Sequence, residues 1–232
     1  MRRRAFIQLC AAAAGATATP VLPARDARPR HYARTLLEEA DGRPLRASAL
    51  PVDRNLIFHY PYAATPCFLL NLGRPAAAAA RLKTAQKDSY EWPGGVGLQR
   101  SIVAYSAICA HQLTYPTREI SFISYRTEKS ERNPHGKVIH CCSEHSQYDP
   151  ARGARVVAGP APQPLAAILL EYDARDDALY AVGTLGGEMF NAFFAKYAFR
   201  LSMERGNALH DAAGATARVT LLEDYCRQQV RC

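Results

Sequence analysis

The chain has 232 residues, 48% hydrophobic and 22% charged, which allows an ordinary apolar core in one domain with appendages, or at most two domains. Its net charge is +8, of which Arg2, Arg3 and Arg4 supply three. The remaining excess is diffuse, without a dense Lys/Arg tract, so nucleic acid is not an expected partner.

Residues 1–24 read as an export signal. Arg2-Arg3-Arg4-Ala5-Phe6-Ile7-Gln8 matches the twin-arginine pattern of paired arginines, one spacer, then Phe and an aliphatic residue. A weakly apolar, Ala-rich run follows over 9–18, with cleavage expected near Leu22-Pro23-Ala24. This route exports folded proteins with their cofactor in place, so the expected location is the periplasm. An uncleaved N-terminal anchor is the alternative, although Ala/Thr content, Pro20 and Pro23 weaken it as a membrane span. Residues 25–54 are polar and Pro-punctuated and read as a linker, with a short helix over 34–40.

Strands are expected from Leu56. Leu56-Ile57-Phe58-His59-Tyr60 is β-branched and aromatic, Cys67-Phe68-Leu69-Leu70-Asn71-Leu72 is a second strand, and Ser101-Ile102-Val103-Ala104-Tyr105 a third. Residues 76–80 allow a short helix in the connection between the last two. Residues 120–125 alternate as a half-buried strand. The charged stretch 126–137 reads as a protruding hairpin, a solvated insertion before it is a docking site for an acidic partner. Val138-Ile139-His140 returns as a strand, with His140 and Cys141 as bystanders. Residues 167–172 and 178–182 form a closing hairpin. From Glu188 the aromatics Phe190, Phe193, Phe194, Tyr197 and Phe199 follow helical spacing, and a further helix is expected over 219–230. Cys226 and Cys232 are expected to pair with each other or with Cys67 in an oxidising compartment.

The chemistry lies between these strands. Cys109-Ala110-His111 and Cys142-Ser143-Glu144-His145 place one Cys and one His on each of two loops, and a Pro-rich segment, Gly159-Pro160-Ala161-Pro162-Gln163-Pro164, follows. Thiolates from Cys109 and Cys142 on one iron, and imidazoles from His111 and His145 on the other, are the ligand types of a Rieske [2Fe–2S] cluster. A structural zinc on the same four residues is the alternative, although C-x-H is an unusual zinc spacing.

Residues 55–183 resemble Rieske iron–sulfur proteins, most closely the small subunit of arsenite oxidase. The resemblance rests on Phe68-Leu69-Leu70-Asn71-Leu72-Gly73, Gly94-Gly95-Val96-Gly97, the segment Ile102 to His111, Ser146-Gln147-Tyr148-Asp149-Pro150 and Gly159-Pro160-Ala161-Pro162. It implies an all-β fold: a Rieske-type antiparallel β-sandwich (55–187), a cluster-binding subdomain inserted at about 106–165, and a helical C-terminal extension (188–232). It implies that Ser146 and Tyr148 donate hydrogen bonds to the cluster sulfurs, and that Pro160 and Pro162 stiffen the loop over its flank. It further implies a one-electron carrier with no catalysis of its own. Its partners would be a larger redox subunit, of molybdopterin type or a cytochrome b, and a cytochrome c.

The sequence departs from the family in three places. The paired loop cysteines of quinol-oxidising relatives, which form a disulfide, are here Thr114 and Glu144. One residue is missing between His145 and Asp149. An alternative register makes Cys141 the ligand, spaced C-x-x-x-H; Cys142 is preferred because it keeps the family spacing to His145. The competing whole-chain reading is a quinol-oxidising subunit of a cytochrome bc-type complex.

Overall fold

The computed structural model describes residues 27–131 and 133–232. The expected export signal, residues 1–24, lies outside the described residues. Strand β1 (Arg30–Glu38) precedes a 3-10 turn (Ala47–Ala49), then come β2 (Leu56–His59), β3 (Pro66–Asn71), the hairpin β4 (Ala80–Lys83) and β5 (Ser89–Trp92), and β6 (Ile102–Ser106). An insertion carries β7 (Ile120–Ser121), β8 (Ile123–Arg126), β9 (Val138–Cys141), β10 (Ser146–Asp149) and β11 (Arg155–Ala158). The chain returns as β12 (Ala167–Asp173) and β13 (Ala178–Leu185). Helix α1 (Phe190–Arg205) leads to β14 (Thr216–Arg218), β15 (Thr220–Leu221), the single turn α2 (Leu222–Tyr225) and β16 (Gln228–Gln229).

The main sheet runs β14-β1-β13-β12-β6-β3-β2-β15. Its two edge strands are consecutive in the chain, with Val219 alone between them. So short a link brings the edges together, and the sheet curls into a nearly closed barrel that leaves little open edge. The Val219 N–H donates to the Glu38 carbonyl at 2.8 Å beside this seam. Side chains alternate across the wall with the two-residue period of a strand. Phe58, Cys67 and Leu69 join one core with Leu37, Tyr60 and Leu179. Ile57, Phe68 and Leu70 join another, packed with Ile123, Ile139 and Tyr148 of the insertion.

The insertion leaves the barrel at β6 and rejoins it at β12, where Ala167 pairs with Tyr105. It builds its own four-stranded antiparallel sheet, β11-β10-β9-β8. Tyr105 reaches across to it, its hydroxyl donating to the Pro150 carbonyl at 2.7 Å. The fold is therefore all-β with one long C-terminal helix, the two layers being a curled eight-stranded sheet and a smaller inserted one.

Local expectations fail where pairing partners distant in sequence decide. The helix expected over 34–40 is the second half of β1, held by β13 on one side and β14 on the other, so 25–54 is not merely a linker. Residues 76–80 form no helix; their alanines run as irregular chain into β4. The strand expected over 120–125 breaks at Phe122 because β7 pairs with β16 while β8 pairs with β9. Only one turn of the helix expected over 219–230 exists, α2, flanked by β15 and β16. Helix α1 buries Phe190, Phe193, Phe194 and Leu201 against Ile108, Leu113 and Tyr115, so its aromatic stripe covers the chain just around Cys109. Among the described residues no helix is long and apolar enough to cross a membrane.

Candidate metal centre

Two loops converge beneath the barrel wall. The first follows β6 and is closed by the Cys109 N–H donating to the Thr114 carbonyl at 2.8 Å and the Leu113 N–H donating to the Cys109 carbonyl at 3.0 Å. The second joins β9 to β10, whose ladder sets Cys141 directly opposite Ser146. His145 turns this loop in a left-handed conformation, φ 57°. Gly159 lies flat against it: a Cβ there would come within 2.5 Å of the His145 carbonyl oxygen and the Ser146 Cα, so the close approach admits only glycine. Buried Gln163 anchors the segment beyond, donating to the Gly187 carbonyl at 2.7 Å and accepting from the Ala85 N–H at 2.8 Å. Pro160 and Pro162 are exposed.

Cys109, Cys141 and Tyr148 are fully buried in one cluster. The Cys141 thiol donates to the Cys109 sulfur. The Tyr148 hydroxyl lies 3.2 Å from the same sulfur and accepts from the Ala110 N–H at 3.2 Å. The hydrogen bond from Cys141 pulls the Cys109 thiol below its ordinary value against the effect of burial, with help from Tyr148 and the N–H groups of His111 and Gln112. Donation to Cys109 pushes Cys141 up, and burial adds to it. Burial and then the nearby Cys109 raise Tyr148. Cys109 is therefore the more acidic of the two thiols, its sulfur ringed by donors.

Cys142 does not stand in that cluster. Its sulfur is bonded to Cys232, 90 residues away, and a disulfide sulfur is no thiolate ligand. Sequence spacing prefers Cys142 as the ligand, with Cys141 as the alternative register; strand alternation sets Cys141 with Ile139 on the face of β9 that joins this cluster and turns the next residue off it. Cys226 and Cys67, the other expected partners of Cys232, are free and buried. His140, expected as a bystander, has its ring nitrogens 3.6 and 3.7 Å from the Cys232 sulfur. Its ring centroid is 5.8 Å from that of His145.

The C-terminal segment straps this corner. β16 pairs in parallel with β7, and the Val230 N–H donates to the Ser121 carbonyl at 2.9 Å. Arg126 donates to the Val230 carbonyl and lies 3.8 Å from the Cys142 sulfur. Lys137 pairs with Asp53 at 2.7 Å, and the Arg118 guanidinium sits 4.4 Å above the Tyr225 ring. Several basic residues of the presumed solvated insertion are thus engaged within the fold. Arg126 and Cys232 were invisible in the sequence because their partners lie 104 and 90 residues away.

The residues present fit a [2Fe–2S] centre. Two buried thiols face one another, and His111 and His145 sit half-buried on the flanking loops. The Ser146 hydroxyl and His111 Nδ1 are buried and have no hydrogen-bond partner among the described residues, which is costly unless a bound group engages them. No protein-family model matches the chain. Among solved structures it is similar to the soluble domain of the Rieske protein II (soxF) from Sulfolobus acidocaldarius, with 25% sequence identity, covering 68% of this chain and 82% of that one at a TM-score of 0.45.

Proposed function

We propose that the chain is a Rieske-type electron-transfer protein whose [2Fe–2S] centre is held by Cys109 and Cys141 on one iron and by His111 and His145 on the other. The observation that carries this reading is the buried Cys109–Cys141 thiol pair, with Tyr148 on the Cys109 sulfur and the unpartnered Ser146 hydroxyl opposite Cys141. Bound there, the cluster supplies a one-electron couple, and imidazole ligation raises its potential from about −400 mV into the range of about −150 to +300 mV. Tyr148 donates to the Cys109 sulfur and fixes its position. Tyr105, Trp92 and Ile139 close the apolar side against water. The half-buried His111 and His145 form the edge nearest solvent, where an electron enters or leaves.

In this reading the protein is exported folded through the twin-arginine signal to the periplasm. It relays electrons from a larger catalytic subunit, of the molybdopterin type found with arsenite oxidase small subunits, to a cytochrome c. Thr114 and Glu144, in place of the paired loop cysteines, favour this assignment over a quinol-oxidising subunit beside a cytochrome b.

The test is iron and sulfide analysis of the purified full chain with electron paramagnetic resonance after ascorbate reduction. The expected result is two irons per chain and a Rieske-type signal. Cys141→Ser abolishes both, whereas Cys142→Ser retains them. Iron lost from Cys142→Ser and kept in Cys141→Ser refutes the ligand set; a silent spectrum with zinc in place of iron refutes the function.

A further inference from the structure

A second constellation sits beside the first. Donor atoms of His140, His145 and Cys232 lie within 4.8 Å of one another, and Cys142 is bonded to Cys232. We propose that opening the Cys142–Cys232 disulfide in the cluster-free chain creates a Cys2His2 zinc site formed by Cys142, Cys232, His140 and His145.

The spacing supports zinc. With Zn–S near 2.3 Å and Zn–N near 2.05 Å, sulfur and nitrogen donors on a tetrahedral ion are about 3.6 Å apart, and two sulfurs about 3.8 Å. The Cys232 sulfur already lies 3.6 Å from His140 Nε2. The two sulfurs, released on reduction, need only to separate for the ion to enter between them. Chain geometry allows this. Cys142 and His145 lie on the loop between β9 and β10, and Cys232 lies beyond the last paired position of β16. His140 is fixed by the ladder between Ser124 and Gln147, and is almost fully buried, which keeps water from competing for the ion.

The chemistry balances. A dithiol reductant gives two electrons and two protons to the disulfide, leaving two thiols and its own cyclic disulfide. The zinc ion then binds both sulfurs as thiolates and releases the two protons to solvent. The site shares His145 with the proposed iron centre, so the two exclude one another and zinc binds only the cluster-free chain; because it needs neither Cys109 nor Cys141, the two assignments fail separately.

The experiment uses the full chain carrying Cys109→Ser, which removes the buried thiol pair, titrated anaerobically with Co²⁺ before and after reduction by a phosphine. The expected result is one equivalent bound after reduction only, with thiolate-to-cobalt charge transfer and the intense visible bands of tetrahedral cobalt, all displaced by Zn²⁺. Adding His140→Gln weakens binding by about tenfold or more. In the unsubstituted chain stripped of iron by a chelator, Zn²⁺ protects Cys142 and Cys232 from iodoacetamide after reduction, which tests the site without any substitution. Equal cobalt binding with the disulfide closed, no tetrahedral spectrum after reduction, indifference to His140→Gln, or alkylation of both cysteines in the presence of Zn²⁺ each overturns the proposal. Iron content of the unsubstituted chain reports separately on the electron-transfer reading.

Discussion

Tyr148 is the residue through which the fold acts on the Cys109 sulfur. Its ring is buried in the insertion core, so its hydroxyl has few choices of direction, and it meets both the sulfur and the Ala110 N–H at 3.2 Å. A donor to sulfur stabilises the more negative, reduced state of a cluster bound there. If that hydrogen bond is stronger by about 1.4 kcal/mol in the reduced state, the one-electron potential rises by about 59 mV. Tyr148→Phe is therefore expected to lower the midpoint by about that amount while keeping the iron, as read by a redox titration of the paramagnetic signal. An unchanged midpoint would mean that Tyr148 contributes packing alone. Cys109, His111, His145, Ser146 and Tyr148 were legible as a candidate set because they lie in two short segments. The choice between Cys141 and Cys142 was not. It depends on which face of β9 meets the core and on a partner at Cys232, and neither is a local property.

At the level of elements, the junction of β2, α1 and α2 holds a half-buried histidine apart from the candidate metal centre. His59 ends β2, and its Nε2 accepts from Arg205 of α1 at 3.0 Å, with the Tyr225 hydroxyl of α2 at 3.4 Å. Burial first, and then the charges of Arg205 and Arg118, lower its pKa from the ordinary 6.5 to about 3. The imidazole must be neutral to accept from a guanidinium. A depressed folded-state pKa means that the unfolded chain binds the proton more tightly. The stability it provides is thus complete above about pH 6.5 and is lost as pH falls towards about 3. Allowing for the partly open edge of the ring, the loss should be about 1 kcal/mol per pH unit within that window. Denaturant midpoints at pH 7 and pH 5 should differ accordingly, and His59→Gln should shrink that difference; equal slopes in both proteins would exclude His59 as the cause. The same elements show where local reading fails. Strands β2, β3, β6, β12 and β13 were legible because apolar and β-branched residues gather there between turn residues. β1 was read as a helix because Leu36-Leu37-Glu38-Glu39 has no two-residue alternation. Its conformation is set by hydrogen bonding to β13 and β14, over 140 residues away in the chain.

In the whole molecule, the C-terminal segment after α1 performs two closures. β14 and β15 bring together the two edges of the barrel, and the following residues cross to the inserted sheet and bond covalently to the loop between β9 and β10. Strand β1 in the barrel wall and the loop that follows β9 in the insertion are thus both held by the same stretch. A cross-link spanning 90 residues restricts the unfolded chain far more than the folded one, where the tail is already seated by β16 and Arg126. Loop-closure entropy for that length is worth at most about 4.6 kcal/mol, and native disulfides commonly contribute about 2 to 4 kcal/mol. Reducing the bond in metal-free solution, or replacing Cys232 with Ala, should therefore lower unfolding stability by about that amount. The melting temperature should fall, but the far-ultraviolet circular dichroism should keep its native shape, since the barrel core around Phe58 and Leu69 contains neither cysteine of the bridge. Equilibrium denaturation of the oxidised chain, the reduced chain and Cys232→Ala measures this directly. Three coincident curves would show that the terminal strap is held by its hydrogen bonds alone. Coincidence of the last two below the first would assign the difference to the bridge.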